Sequence, residues 1–492
     1  MPETNTKTNR IEYTENPPQE NAQLIEWMGW YLKNHRVHQF TINGFTYPFV
    51  RELNFASLPY PINRKYSMLA GLFSTRKGDL MFFFQSDPQW PSGGIDSRRG
   101  LRGIYRVVSD PFADRQPITA STGYTILGEC PTCHTPCSNL SAKCINDACR
   151  QPYPLFTVSG HDPYPKLNMH LRLDVEPLIV FERAISDERT YADMGDQDMI
   201  WIGRHDNQMG PGKGSSVREL LPEEAIKLTR LFISEPGQRI SRPRKHAYPN
   251  PVKQILNLDG TPINHLELDF RPRAGSNVKK ELMLNFDVAN TIDKRNSSIQ
   301  LALGTHFVHA DLDYFSSEFP WGYTAGTSDF VCSFSKETGR YRIIVMEFKR
   351  GKVEDDAVIQ TSLYVPWVTQ VLTQFAKPNI DEIEVVPVFI GRKLDLSTCV
   401  PKSYSYKPKF VSGASPKVKV EMPIYIEYEP EGIYQHQNGT YYAKSIKYTN
   451  RSGSLTSRQI AWTPPSGTVT SQIEKDWVRQ TSWLEARTAA GF

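Results

Sequence analysis

The sequence predicts a fold of mixed α/β and β character, and three observations predict it. Short strand-like runs dominate the first half: HQFTI, DLMFFFQS and GIYRVVS, each bounded by Gly, Pro, Asp or Ser. Helix and strand patterns then alternate, from NVKKELMLNFDVANTID through SDFVCSFSKETGRYRIIVMEFK to EIEVVPVFIG. The length of 492 residues sets the scale, because at roughly 100–200 residues per domain it accommodates about three folded units.

Taken in order, residues 1–22 are polar and carry Pro17-Pro18, the composition of a disordered arm. A globular pattern starts near Leu24, and residues 23–236 are expected to form one strand-rich unit. Within it, LFTVS, RLDVEPLIVFE and MIWIG continue the strands, and a cysteine-rich insert at 128–152 interrupts them. LLPEEAIKLTRLF predicts a helix with Pro222 in its first turn and acids beside it. Residues 237–265 open on a Pro-rich basic run, GQRISRPRKHAYPNP, and are expected to link two units. The mixed α/β unit covers 266–430, with a further helix around 354–373. Residues 431–492 form a small β-rich extension. Its IYQHQNGTYYA suggests a hairpin turning at Asn-Gly, and SQIEKDWVRQTSWLEA suggests a polar helix.

Composition excludes more than it identifies. Fifty-seven Lys and Arg against 53 Asp and Glu give +4, so a claim of nucleic-acid binding must come from local clusters. No run approaches the roughly 20 apolar residues that span a bilayer, and no membrane partner is expected. The start, MPETNTKTNR, lacks the apolar core of a secretory signal. Five of the seven Cys fall in one short segment, with only Cys332 and Cys399 outside it. That is unlike a disulfide scaffold, and a cytoplasmic location is expected.

The chemistry concentrates between Asp329 and Tyr364. If Lys336–Gly339 turns a hairpin, paired residues have numbers summing to about 676, which sets Asp329 nearly opposite Glu347. Glu347 and Lys349, two apart on a strand, project from one face. Two carboxylates and an ammonium then meet at one edge, oxygen ligands suited to Mg²⁺ or Mn²⁺. Such an ion can activate water and neutralise charge on a phosphodiester, with the lysine orienting the water or stabilising developing charge. Gln360 and Tyr364, four apart, share a helix face that leans over the site. Glu281, on the preceding helix, is the candidate for a further acid at the metal.

These residues resemble the PD-(D/E)xK nuclease superfamily over roughly 277–430. Asp329 matches the first acid, and Glu347-Phe348-Lys349 matches the (D/E)xK element. Gln360-Thr361-Ser362-Leu363-Tyr364 resembles the QxxxY helix of RecB-type nucleases. EFKRGKVEDDAVIQTSLYVPWV is also similar to archaeal and bacterial nucleases acting on mismatches or flaps. Ser328 stands where the namesake motif has proline. The resemblance implies an α/β nuclease domain whose catalytic residues are Asp329, Glu347, Lys349, Gln360, Tyr364 and Glu281, with Asp329, Glu347 and Glu281 holding the metal. His306, His309, Asp311 and Asp313 make a second cluster in which the last three could share a strand face. Nothing nearby in sequence completes a tetrahedral site for them.

Cys130-x2-Cys133 and Cys144-x4-Cys149 supply two thiolate pairs ten residues apart, enough for one structural Zn²⁺. Cys137 or His134 could replace one ligand. The CxxCH match at Cys130–His134 also fits haem attachment, but the absent export signal and the clustered cysteines count against haem. A zinc staple would order a loop too polar to fold alone.

KGDLMFFFQSDPQW…RGLRGIYRVVSDPF is similar to PUA-like domains of the EVE/YTH type. The similarity implies a β-barrel-like domain that accepts a flipped, often modified base in an aromatic-lined pocket. Trp90, Tyr60 and Trp201 are the candidate stacking residues; each stacked base contributes about 1–3 kcal/mol. Arg98, Arg99, Arg102 and Arg106 concentrate charge beside that pocket, and Arg239, Arg242, Arg244 and Lys245 do so in the linker. Both clusters could contact phosphates. GPGKGSS lacks Walker spacing, with Asn207 where the first glycine belongs.

The expectation is a metal-dependent DNA endonuclease for restriction or antiviral defence, with a base-reading half and a cutting half. A repair nuclease acting on mismatches, ends or flaps is the second expectation, and an idle nucleic-acid-binding protein the third. The intact acid, lysine and glutamine set argues against the last. Double-strand cleavage with one site per chain would be easiest for a homodimer.

Overall fold

The computed structural model describes residues 13–42, 55–58, 66–85, 100–114, 127–129, 136–138, 171–186, 217–235, 240–241, 253–255, 278, 281–321, 326–337, 339–370, 372, 380–395, 403–407, 416–435 and 441–454. Its N-terminal half comprises helix α1 (Asn21–Tyr31), strands β1 (Val37–Ile42) and β2 (Phe55–Leu58), and helix α2 (Tyr66–Ser74). Strands β3 (Leu80–Gln85), β4 (Gly100–Val107), β5 (Phe112–Asp114), β6 (Leu127–Glu129), β7 (Pro136–Ser138), β8 (Leu171–Ser186) and β9 (Val217–Leu220) follow, then helix α3 (Pro222–Ser234). Strands β10 (Ile240–Ser241) and β11 (Lys253–Ile255) complete this half. The C-terminal half runs through helices α4 (Leu282–Thr291) and α5 (Ser298–Leu303) into strands β12 (Leu312–Trp321), β13 (Gly326–Glu337), β14 (Arg340–Phe348) and β15 (Lys352–Val353). Helix α6 (Asp355–Gln370) leads to β16 (Glu382–Gly391), β17 (Lys393–Leu394), β18 (Tyr404–Tyr406), β19 (Lys417–Val420) and β20 (Ile424–Glu431). β21 (Tyr434–Gln435), β22 (Tyr441–Tyr442) and β23 (Ser445–Asn450) close the described chain.

The protein is mixed α/β with strand-rich sheets. A nine-stranded sheet has the path β11-β5-β8-β4-β3-β1-β9, with β10 and β2 also pairing β8. LMFFFQ of β3 is buried at every position because α1 and α3 cover one of its faces and a core shared with the C-terminal half covers the second. Pro177 has no N–H to give the β4–β8 ladder, and the register slips there, from Ile104↔Ile179 to Tyr105↔Pro177. Helix α3 starts as expected: Pro222 occupies its first turn, and the Glu224 carboxylate accepts the Leu221 N–H at 3.0 Å.

The eight-stranded sheet has the path β12-β13-β14-β16-β19-β18, with β20 and β23 joined beside β16. β16 lies parallel to β14, β19 and β20, which explains its nearly unbroken apolar run EIEVVPVFIG. The hairpin between β13 and β14 turns at Gly339, whose φ of +79° suits glycine.

Three expectations differ from the packing found. The arm expected over 1–22 is docked from Tyr13 onward: Tyr13 bonds Glu26, and the buried Trp27 donates its indole N–H to Thr14 O at 2.8 Å. Inside the expected linker, Ile240–Ser241 and Lys253–Ile255 pair with β8 and β5 of the N-terminal sheet. The expected C-terminal extension supplies β23, which pairs with β20 and buries Ile446 and Tyr448 against the core. The halves also share their apolar cores, since Phe73 of α2 meets Phe286 of α4 edge-on at 4.7 Å.

Candidate active site

The hairpin register is the one the turn demands. Phe330↔Met346 through Ser335↔Tyr341 all sum to 676, so Asp329 lies one step beyond the last pair, level with Glu347. There the Asp329 carboxylate accepts the Phe348 backbone N–H at 2.7 Å. Glu347 is only 3% exposed. It sits at the buried end of β14, flanked by the parallel β16 through Phe389. Lys349 continues that edge: its backbone N–H donates to Ile390 O at 2.7 Å, and its ammonium reaches back to Glu347 Oε1 at 3.0 Å.

Helix α6 supplies the cover. The Lys349 ammonium also donates to Gln360 Oε1 at 3.2 Å, and the Gln360 amide donates to the Tyr364 hydroxyl. The i, i+4 spacing therefore makes a relay from the strand-borne lysine to a tyrosine one turn along the helix. Glu281 stands at the N-terminal end of α4, where its carboxylate accepts the Arg350 N–H at 3.0 Å. The structure thus brings Asp329, Glu347, Lys349, Gln360 and Tyr364 together and sets Glu281 on the backbone just past Lys349.

Two further residues hold this arrangement. Asn285, one turn beyond Glu281 and fully buried, donates its amide to the Asp329 backbone carbonyl at 2.9 Å. Tyr428 of β20 donates its hydroxyl to Arg350 O at 2.6 Å, so one peptide segment is held from both sides. The spacing Glu281-x3-Asn285 was a usable signal for the first. Tyr428 has no local signal, because the sheet brings it in from 78 residues away.

Electrostatically the site is short of positive charge. Burial pushes the Asp329 carboxyl well above the usual carboxylate range, and the neighbouring charges of Glu347 and Glu281 push it further. The Phe348 N–H and the Lys349 ammonium oppose this without reversing it. Burial pushes the Tyr364 hydroxyl up to about 12, with Glu347 and Asp329 adding to it and the Gln360 bond opposing. Tyr364 is therefore a neutral hydrogen-bonding group near pH 7.

Among the described residues, no group of three or more His, Cys, Asp or Glu is placed to hold a metal ion. The donor set nevertheless fits Mg²⁺ or Mn²⁺. Such an ion is commonly held by one or two carboxylates, with water and substrate phosphate completing the octahedron. A divalent cation would offset the repulsion between Asp329 and Glu347, which the Lys349 ammonium does not cancel.

Other expected site residues fare differently. Arg102 is 1% exposed and donates Nε to Gln85 Oε1 at 3.0 Å, so it serves the interior of the N-terminal sheet instead of meeting phosphate at its surface. Arg106 is held by Glu176 at 2.6 Å and by Glu15. His309, Asp311 and Asp313 do not share a strand face: His309–Asp311 is a 3-10 turn, His309 donates to Asp293 O, and Asp313 accepts from Ser335. Trp90, Tyr60, Trp201, Arg98, Arg99, Arg242, Arg244 and the cysteines Cys130, Cys133, Cys144 and Cys149 lie outside the described residues. So do LFTVS, MIWIG and the helix expected at SQIEKDWVRQTSWLEA. Compared with protein-family models and with curated proteins, the chain matches neither.

Proposed function

We propose that the chain is a Mg²⁺- or Mn²⁺-dependent deoxyribonuclease that cuts phosphodiester bonds within DNA. The observation that carries this is the Lys349 ammonium, bonded to Glu347 and Gln360 at the edge where the half-buried Asp329 lies level with the buried Glu347. Asp329 and Glu347, with Glu281 beyond them, would hold the ion. When bound, it would supply Lewis acidity toward a phosphoryl oxygen and lower the pKa of a coordinated water.

The chain's own residues set up the rest. Lys349 places a fixed positive charge where a phosphate gathers negative charge in the transition state. Gln360 holds that ammonium by its carbonyl and passes the other end of its amide to Tyr364, which fixes the amide's orientation. Lys352 and Lys393, exposed and paired in register on β15 and β17, follow the two strand ends that frame the site and suit a phosphate backbone.

In this proposal the C-terminal half is a PD-(D/E)xK domain and the N-terminal half a PUA-like barrel that reads a modified or flipped base. The cysteine insert would carry its structural Zn²⁺. Restriction of foreign DNA in the cytoplasm is the role such a pairing of reader and cutter suits, with two protomers serving the two strands. The test is cleavage of plain, methylated, hydroxymethylated and mismatched duplexes, with Mg²⁺ and with chelator. Metal-dependent cutting that is lost in Glu347→Ala and Lys349→Ala is expected, with preference for a modified duplex. Wild-type rates in both variants would sink the nuclease proposal. Equal cutting of all intact duplexes would remove the modified-base reader, and preference for mismatches would favour repair.

A further inference from the structure

Helix α4 has two ends in two different settings. Its N-terminal end carries Glu281 at the site, and one turn in, Asn285 bonds the Asp329 backbone. Its C-terminal end is gripped by Arg76, which follows α2 in the N-terminal half. The Arg76 guanidinium makes a bidentate pair with Asp293, Nε to Oδ2 at 2.7 Å and Nη2 to Oδ1 at 2.6 Å. Nη2 also donates to Ala289 O at 3.0 Å and to Asn290 O at 3.4 Å, two carbonyls in the last turn of α4 that have no following turn to bond.

Arg76 is itself fixed from behind. Nη1 donates to Phe73 O and Thr75 O, and the Arg76 backbone N–H donates to the Asp79 carboxylate at 2.8 Å. A planar guanidinium with five donors in a fork can satisfy all these acceptors at once, whereas an ammonium cannot. It also places a cation at a helix C-terminus, where the dipole favours one. The ten residues of α4 span about 15 Å as one hydrogen-bonded rod, so an angle set at one end is inherited at the other.

We propose that Arg76 is a positioning residue for the active site: by fixing the C-terminal end of α4 it sets Glu281 and Asn285 against Arg350 and Asp329. This rests on the nuclease proposal and extends it, since it makes the N-terminal half a part of the metal site's support. The folded N-terminal half is then required for cutting even when base recognition is not at issue.

The test uses the full-length chain with Arg76→Lys and Arg76→Ala. It reads cleavage kinetics on a duplex the wild type cuts, Mn²⁺ affinity by titration calorimetry, and the thermal midpoint. Outer-shell supports of metal sites typically matter by about 10–100-fold, so Arg76→Lys is expected to weaken Mn²⁺ binding about tenfold and lower kcat similarly. KM for DNA should stay within about twofold, because the substrate contacts are untouched. Arg76→Lys keeps the charge and so guards against simple unfolding of Arg76→Ala. A lower thermal midpoint with unchanged Mn²⁺ affinity and unchanged kcat would overturn the proposal and leave Arg76 a packing residue. Glu347→Ala, run in parallel, separates the two ideas. If it cuts as the wild type does, the nuclease proposal fails whatever Arg76 does; if it is dead while Arg76→Lys behaves as wild type, only the positioning role fails.

Discussion

Among the described residues, two clusters of Asp and Glu set against basic side chains are balanced in opposite ways. At the junction of the halves, Arg36 meets Asp79 at 3.3 Å and Glu219 at 3.2 Å, His38 bonds Asp79 at 2.8 Å, and Arg76 meets Asp293 at 2.6 Å. Burial would raise Asp79, yet Arg36, His38 and the Arg76 N–H together hold its carboxyl well below the usual range. Burial pushes Glu219 up to about 8 despite its pairing with Arg36, so near pH 7 it keeps its proton. Burial also pushes His38 down, leaving it neutral. Arg36 then faces an ionised Asp79, and Arg76 pairs with Asp293. At the candidate active site, burial drives the Asp329 carboxyl up, Glu347 and Glu281 drive it further, and the Lys349 ammonium that pairs with Glu347 does not offset them. On the proposed function, the first cluster closes its own charge and supports the fold, and the second would take a cation from outside.

The largest effect that would sharpen this contrast is on cleavage. Glu347→Gln keeps the shape and removes one negative charge. The loss should be several kcal/mol of transition-state stabilisation, on the order of 10⁴-fold in rate. A steady-state assay in saturating Mg²⁺ reads it, and a rate within tenfold of wild type would erase the distinction between the clusters. Next comes the junction. Arg36→Met leaves Asp79 without its main partner and also removes the cation stacked 3.9 Å over Phe315. Stripping one member from a buried pair destabilises by roughly 3–5 kcal/mol, which urea unfolding measures. A change below about 1 kcal/mol would mean the junction is solvated like an ordinary surface pair.

Acidity separates the clusters further. A carboxyl that titrates near 4.5 when unfolded and about 8 when folded contributes stability that is fully present below the lower value. Between the two the folded chain holds a proton the unfolded chain has released, so stability falls as pH rises and stops falling above the higher value. Glu219→Gln should remove that component. Wild type is expected to lose roughly 3 kcal/mol more than the variant between pH 5 and pH 8. Parallel unfolding curves for the two proteins would show that Glu219 titrates alike in both states.

The legible parts of the sequence were those where local geometry fixes long-range contact. The turn at Gly339 sets the register of β13 and β14, and with it Asp329 opposite Glu347; four-residue spacing alone puts Gln360 over Tyr364. Arg102 was misread because a strand such as GLRGIYRV does not announce which face a sheet will bury. Arg76 and Asp293 stand 217 residues apart, and Tyr448 bonds Asp287 across 161. No spacing rule reaches so far. The tail's β23 was underestimated for the same reason: SIKYTN alternates like an edge strand, and only the sheet shows what Ile446 and Tyr448 pack against.

The smallest effect asks whether the charge deficit selects a cation. A ligand bound only by the folded chain stabilises it by RT ln(1 + [L]/Kd), about 1.4 kcal/mol at ten times Kd. Mg²⁺ should therefore raise the thermal midpoint of wild type by a few degrees at most for a chain of this size. Asp329→Asn takes away one of the carboxylates proposed to hold the ion, and the Mg²⁺ response should vanish with it. Glu219→Gln, which alters only the closed cluster, should keep the full response. A Mg²⁺ shift that survives Asp329→Asn would place the cation elsewhere, and one lost in Glu219→Gln would show that the junction and the site share a single electrostatic balance.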